Sequence, residues 1–453
     1  MEKDKSFLGT EPVGKLLLQL ALPTVAAQLI NMLYNIVDRI YIGHIPGEGA
    51  LALTGVGVCM PLIMVVSAFA ALVGNGGAPR ASIFMGKNDT SKAEQTLGNC
   101  FTMQIIISLI LTVILFLGNR SFLLAFGASA NTIDYAVGYM NIYAVGTIFV
   151  QLTLGMNNFI TAQGFAKTGM LSVLIGAVSN IILDPVFIFG LGQGAAGAAM
   201  ATVIGNVIAD VYYIYVMSKK AKRLSVSLKE IKIPGTMIRD ILVIGIPASI
   251  TNLMQSIMIM ITNHYLIAYG TDKVAAMGIA LKANMISAFI LVGFAFGGQP
   301  LVGYNYGARN KKRLKEILRF AYLFEAGLAL VFTILISIFA PFIIKIFMNQ
   351  SDIITNGAMM LRFQQLGMVF MAITLVSTCV CQSVGSAAGA FVLSISRQGV
   401  IYAILLIVLK SVFGYTGILA TQACADVVTA LIAIGIIRKV LGGMKNEIQD
   451  DRI

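Results

Sequence analysis

Twelve apolar runs, separated by short polar segments, constrain this 453-residue chain more than any other feature. A helix needs about 20 apolar residues to cross a hydrocarbon core of about 30 Å. Lipid admits only backbone that satisfies its own hydrogen bonds, and for apolar runs of this length that means helices. Charged residues make up 11% of the chain and apolar residues 58%, whereas a soluble domain carries about 25% charge. The first run, Lys15 to Gly43, is too long for a signal-peptide core and has no small-residue cleavage site, so it is read as a span. The predicted fold is an all-α polytopic membrane protein: twelve transmembrane helices in two pseudo-symmetric six-helix lobes. The first six helices are predicted over 15–43, 51–75, 95–118, 133–162, 167–190 and 195–218. The second six are predicted over 239–269, 274–299, 316–341, 355–382, 386–411 and 416–438.

The net charge of +12 does not point to nucleic acid, because the basic residues gather in short segments between apolar runs. The N-terminal tail, the even-to-odd loops and the C-terminal tail hold 24 of the 32 lysines and arginines. The opposite loops hold four: Arg120, Lys273, Lys345 and Lys410. The asymmetry predicts a multi-pass protein of the cytoplasmic membrane with both termini in the cytoplasm. The five cysteines, Cys59, Cys100, Cys379, Cys381 and Cys424, all fall in apolar stretches. Their spacing suggests neither a disulfide framework nor a zinc site.

The two halves repeat. Pro23 in Ala-Leu-Pro matches Pro247 in Gly-Ile-Pro, and Gly76-Gly77-Ala78-Pro79 matches Gly297-Gly298-Gln299-Pro300. Gly86 matches Gly307, Gln163 matches Gln382, and Gly194 matches Gly414. These offsets run from 219 to 224. An N-lobe at 1–218, a cytoplasmic linker at 219–238, a C-lobe at 239–439 and a tail at 440–453 follow. The glycine-proline segments are expected to be loops after the second helix of each lobe. Parallel six-helix repeats suit a carrier that works by alternating access, operating as a monomer.

Ionisable groups inside spans are the sharpest functional pointers, because a carboxylate at mid-bilayer costs about 2.5–3.5 kcal/mol on insertion scales. Asp38, Asp184, Asp210, Glu325 and Asp426 are the acidic candidates, and Lys282 and His264 the basic ones. Asp38 and Asp184 fall in the outward-facing half of the first lobe. Asn180, four residues before Asp184, shares its helical face. Thr202 lies at a depth of about 10 Å in the sixth helix, and Tyr34 and Tyr139 reach the same level. Two carboxylates, an amide and hydroxyls hold a hard cation such as Na⁺, or one carboxyl holds a proton. The alternative is a polar cluster that only fixes helix packing. Pro185 frees the carbonyl of Ile181 as a further ligand, and Pro23 permits a kink. Asp210 and Asp426 are assigned to structural pairing or a cytoplasmic gate, Lys282 to an internal counter-ion and His264 to a helix end. Met156, Met254, Met258, Met260 and Met285 are flexible apolar side chains suited to promiscuous binding or to ordinary packing.

The first helix, LALPTVAAQLINMLYNIVDRIYIG, the fifth-helix motif NIILDPVFIFG, the Gly-Gly-Ala-Pro segment and the duplication together resemble the multidrug and toxic compound extrusion family. The resemblance is to its DinF/MepA-like branch and covers nearly the whole chain. It implies an antiporter that exports amphipathic or cationic small molecules in exchange for H⁺ or Na⁺, with no cofactor beyond the coupling ion. It also implies that Asp38, Asn180, Asp184 and Thr202 form the coupling-cation site (the Na⁺ ligands if sodium is the ion), that Asn157 joins them, and that the first helix bends at Pro23. Gln255 stands where NorM-type members carry a coupling glutamate, which places coupling in the first lobe. A flippase for lipid-linked saccharides is the alternative within transport, with Lys282 and Arg39 its only cleft cations. No metal-protease, serine-hydrolase or Cys/His motif marks the chain as an enzyme.

Overall fold

A computed structural model describes residues 7–219 and 235–450, and every regular element among them is helical. The first half supplies α1 (Val13–Gly43), α2 (Gly49–Gly86), α3 (Thr90–Ala125), α4 (Ile133–Ala162), α5 (Ala166–Pro185) and α6 (Gly194–Lys219). The second half supplies α7 (Gly235–Leu266), α8 (Thr271–Gly307), α9 (Lys311–Phe347) and α10, which joins Ser351–Leu366 to Met368–Ser383 through a 44° bend. The last helical run has no loop in it, but Gly414 at φ 58°, ψ −125° breaks it into α11 (387–413) and α12 (415–450). The twelve apolar runs are therefore twelve helices. On α9 only 17% of the most apolar window is buried within the protein. Leu330, Ile334, Ile338 and Phe342 are exposed along its outer face at one-turn spacing, as a lipid-facing stripe requires.

The glycine-proline segments are not loops. α2 continues through Pro79 to Gly86, and α8 through Pro300 to Gly307. Proline is tolerated inside a membrane helix because neighbouring helices cover the backbone groups it frees, and the glycines let those neighbours come close. A Cβ on Gly76 would lie 2.2 Å from the Ile241 carbonyl oxygen of α7, and one on Gly297 would lie 2.5 Å from Ala21 Cα of α1. α9 likewise runs past Pro341 to Phe347.

The repeat is written in the backbone as well as in residue types. Asn88 and Arg309 both adopt positive φ, at 59° and 54°. The next residues cap the following helices: Asp89 accepts from the Lys92 N–H at 3.1 Å and Asn310 from the Arg313 N–H at 3.2 Å. Gly194 and Gly414 share a positive φ, 55° and 58°, which a Cβ would strain.

By packing, the chain divides inside helices rather than at the linker. One compact unit, the first-half unit, is Ala26–Gly245; the second-half unit takes the described residues up to Val25 and those from Ile246 onward. Relative to lobes at 1–218 and 239–439, the opening segments of α1 and α7 are exchanged, and each crossing falls within three residues of the repeated prolines Pro23 and Pro247. Close backbone packing explains the exchange. In the first-half unit a Cβ on Gly245 would lie 1.8 Å from Leu72 O, and Arg80 of α2 pairs with Asp240 of α7. In the second-half unit a Cβ on Gly293 would lie 2.6 Å from Val25 Cα, and Asn305 Nδ2 donates to Leu8 O at 3.0 Å. Most of the predicted linker, 220–234, lies outside the described residues. α12 extends through most of the predicted tail, to Asp450.

Candidate functional site

The first-half unit collects polar groups from four helices. α5 ends at Pro185, which supplies no N–H to the carbonyl of Ile181, and a five-residue π-helical turn, Val186–Gly190, follows. Its register is set by the Leu191 N–H donating to Val186 O at 2.8 Å. Turns of this kind concentrate at functional sites. α6 packs directly onto it: a Cβ on Gly197 would lie 2.7 Å from the Phe187 carbonyl carbon, and one on Gly205 would lie 2.8 Å from Gly176 O. These contacts bring α6 close enough for Asn180 to meet Thr202.

With its amide oxygen turned to α6, Asn180 accepts from the Thr202 N–H at 3.1 Å and from the Thr202 hydroxyl at 3.2 Å. Its NH₂ group donates to Asp184 Oδ2 at 3.3 Å. Asp184 is 0% exposed and Asp38, on α1, 8%. Asp38 acts electrostatically on Asp184, on Tyr34 one turn back along α1, and on Tyr139 of α4. One Asp38 oxygen has no hydrogen-bond partner, and neither aspartate forms an ion pair among the described residues. Arg39 is exposed and turns its guanidinium to Met60 Sδ at 3.2 Å.

Asp38, Asn180, Asp184, Thr202, Tyr34 and Tyr139 therefore occupy one neighbourhood. Asn157 stands apart, against Gly169 and Thr161. Gly169 is 11 residues from Asn180, about 16 Å along α5. Pro23 is buried inside α1. Two members were missed from sequence. Tyr143 stacks on Tyr139 at 6.2 Å between centroids, and Asn206 donates to Thr202 O at 2.8 Å. Each lies four residues from a named site residue, and that spacing was the available signal. Asp210 extends the α6 face by one more turn, accepting from Thr153 at 2.8 Å with its second oxygen unpartnered.

The second-half unit is built differently. Asp426 is paired with Arg397 at 2.7 Å and accepts from Gln422 at 3.1 Å. Arg397 sits in a second π-helical turn, Ser396–Val400. Gln255 is exposed and Met254 half-buried, while Met258 is buried in a core with Leu266 and Ala276. Met285 and Met260 are exposed, and Met156 is fully buried in the first-half unit against Val73 and Phe159. Lys282 is not an internal counter-ion: it is exposed and pairs with no acid among the described residues. Its position on α8 turns it away from the packed face formed by Ala280 and Ala283. His264 sits in the last turn of α7, exposed and tilted against Tyr265. Four cysteines are buried, Cys424 is partly so, and all are free.

Comparison with known proteins agrees with this architecture. A protein from Staphylococcus haemolyticus named Multidrug export protein MepA is 28% identical over 425 residues, covering 94% of this chain and 93% of that protein. The MepA of Staphylococcus aureus strain MSSA476 is 26% identical over 426 residues, covering 94% of each chain. A structure described as the outward-facing conformation of a multidrug resistance MATE family transporter superposes with a TM-score of 0.89. It is 23% identical, covering 96% of this chain and 99% of that one. The MatE family model matches residues 23–186 and 247–408, one match in each half and each opening at a repeated proline. The duplicated helices, the Asp-Pro turn and these two matches agree: the chain is a MepA-like member of the MatE family.

Proposed function

We propose that this chain is a cation-coupled antiporter that exports amphipathic or cationic compounds across the cytoplasmic membrane, with both termini in the cytoplasm. The relatives named as multidrug export proteins support the substrate class, and the basic tails and even-to-odd loops support the orientation. One observation carries the coupling. Asp38 and Asp184 are both buried, Asp38 acts on Asp184, and neither has an ion pair among the described residues, although Arg39 acts on Asp38 from a distance. Two carboxylates in so poorly solvated a place call for a small positive ion, H⁺ or Na⁺. Asn180 and Thr202 supply neutral oxygens beside them.

In this reading the ion enters the Asp38/Asp184 neighbourhood from outside, and its arrival changes α1, which carries Asp38 fifteen residues after Pro23. Each coupled monovalent charge moving inward gains about 2.3 kcal/mol per 100 mV of membrane potential, a force sufficient to drive uphill export. The test is export from proteoliposomes under separately imposed pH and Na⁺ gradients, comparing wild type with Asp38→Asn and Asp184→Asn. Both variants are expected to insert normally and lose gradient-driven export. Wild-type export by both under every gradient would refute the coupling site.

A further inference from the structure

The second-half unit contains one acid that the pairing pattern leaves out. Glu325 lies within α9, is 0% exposed, and has no hydrogen-bond partner for either carboxyl oxygen. It lines a cavity with Leu17 of α1, Phe294 and Gln299 of α8, and Val376 and Cys379 of α10. The polar neighbours are already engaged. Gln299 donates to Gln382 at 2.8 Å, its carbonyl accepts from Ser383 at 3.1 Å, and the Tyr322 hydroxyl meets Ser377 at 2.8 Å. The titratable groups that act with Glu325 are Cys379 from α10 and Tyr322 from α9 itself. α1 and α8 contribute apolar or neutral groups to the cavity wall, and no cation pairs with Glu325 among the described residues.

An ionised carboxylate with neither a hydrogen bond nor a counter-ion is strongly disfavoured in such surroundings. The cavity has room for about one water molecule, enough to pass a proton and too small for a hydrated metal ion. A residue needed only for packing there is better served by leucine or methionine, which carry no desolvation cost.

We propose that Glu325, in the second-half unit, is a second proton-binding site in addition to the Asp38/Asp184 cluster of the first-half unit, loaded and emptied during the transport cycle. This rests on the antiport reading above and names H⁺ as one coupled ion. In the arrangement described here the carboxyl holds its proton. When the walls around Leu17 and Cys379 part, water reaches the oxygens, the O–H bond breaks, and the proton leaves to solvent while the electron pair stays on the carboxylate.

Two measurements test it. Infrared spectra of wild-type protein labelled with ¹³C-glutamate should contain the carbonyl stretch of a protonated acid at neutral pH, since none of the other described glutamates is buried. Absence of that band overturns the proposal without any variant being made. In proteoliposomes, Glu325→Gln keeps the neutral shape but holds no exchangeable proton. It should still bind a fluorescent cationic substrate while releasing one proton fewer per substrate transported, or none if transport stops. Wild-type export with the wild-type proton count would make Glu325 a packing residue only. Asp184→Asn in the same assay separates the two readings. If Asp184→Asn is inactive and Glu325→Gln normal, this proposal alone fails; the reverse result sinks the first-half site and leaves Glu325 standing.

Discussion

The two units share a helical plan but treat one near-equivalent pair of buried acids, Asp426 and Asp210, in opposite ways. In the second-half unit Asp426 is answered by Arg397, 2.7 Å away. In the first-half unit the near-equivalent Asp210 receives only a hydroxyl from Thr153, and Asp184 has Asp38 acting on it with no ion pair among the described residues. The π-helical turns sharpen the contrast: in α5 the turn follows a carboxylate and a proline, whereas in α11 it contains the arginine. A buried acid with a built-in counter-charge is finished as a structural element. One without such a partner, as Asp184 in the first-half unit and Glu325 in the second, is left without a counter-charge among the described residues.

That comparison breaks most readily at its charged residues. The largest effect expected is loss of gradient-driven export in Asp184→Asn, down to the rate of protein-free vesicles, with little change in thermal unfolding. Next comes Arg397→Met, which strands Asp426 in the interior and should cost about 3–5 kcal/mol of stability, read as a lowered melting temperature in detergent. Adding Asp426→Leu to it should recover most of the loss; if it does not, the pair is more than a brace. Gly76→Ala pushes a methyl toward the Ile241 carbonyl of α7 and should cost about 1–3 kcal/mol. Gly297→Ala, its counterpart against Ala21, should cost as much in the other unit, and a clear inequality would show that the exchanged half-helices are held unequally.

The smallest effects concern the two helix caps. Asp89→Ala and Asn310→Ala should each cost about 1 kcal/mol. Only the first should depend on pH. The Lys92 backbone N–H holds the Asp89 carboxyl below its ordinary range, so its contribution is present above the unfolded value. That contribution is lost as pH falls through the folded one. The Asn310 amide does not titrate there. Acid-dependent stability that persists in Asp89→Ala would assign the effect elsewhere.

Much of this was legible in the chain. The Asn180–Asp184 spacing placed both side chains on one face, and the pairing of Pro23 with Pro247 marked the duplication. Other features were not. Nothing local distinguishes the Gly76–Pro79 segment from a loop; it stays helical because Ile241 and Gly245 of a distant helix pack against it. Lys282 read as internal because hydropathy places a residue in a span without saying which way the helix turns. Glu325 and Asp426 were equally conspicuous as acids in apolar runs, and only packing separated the acid with an arginine from the one with none.

Sequence alone determined the number of helices, their repetition and the inventory of ionisable groups, because apolar length and residue spacing are properties of the chain read in one dimension. The tertiary structure decided which half each end of α1 and α7 joins, and which buried charges meet a partner. Those outcomes depend on distances of a few ångströms between helices remote in sequence, where a glycine lets two backbones meet and an arginine settles whether a buried acid is paired.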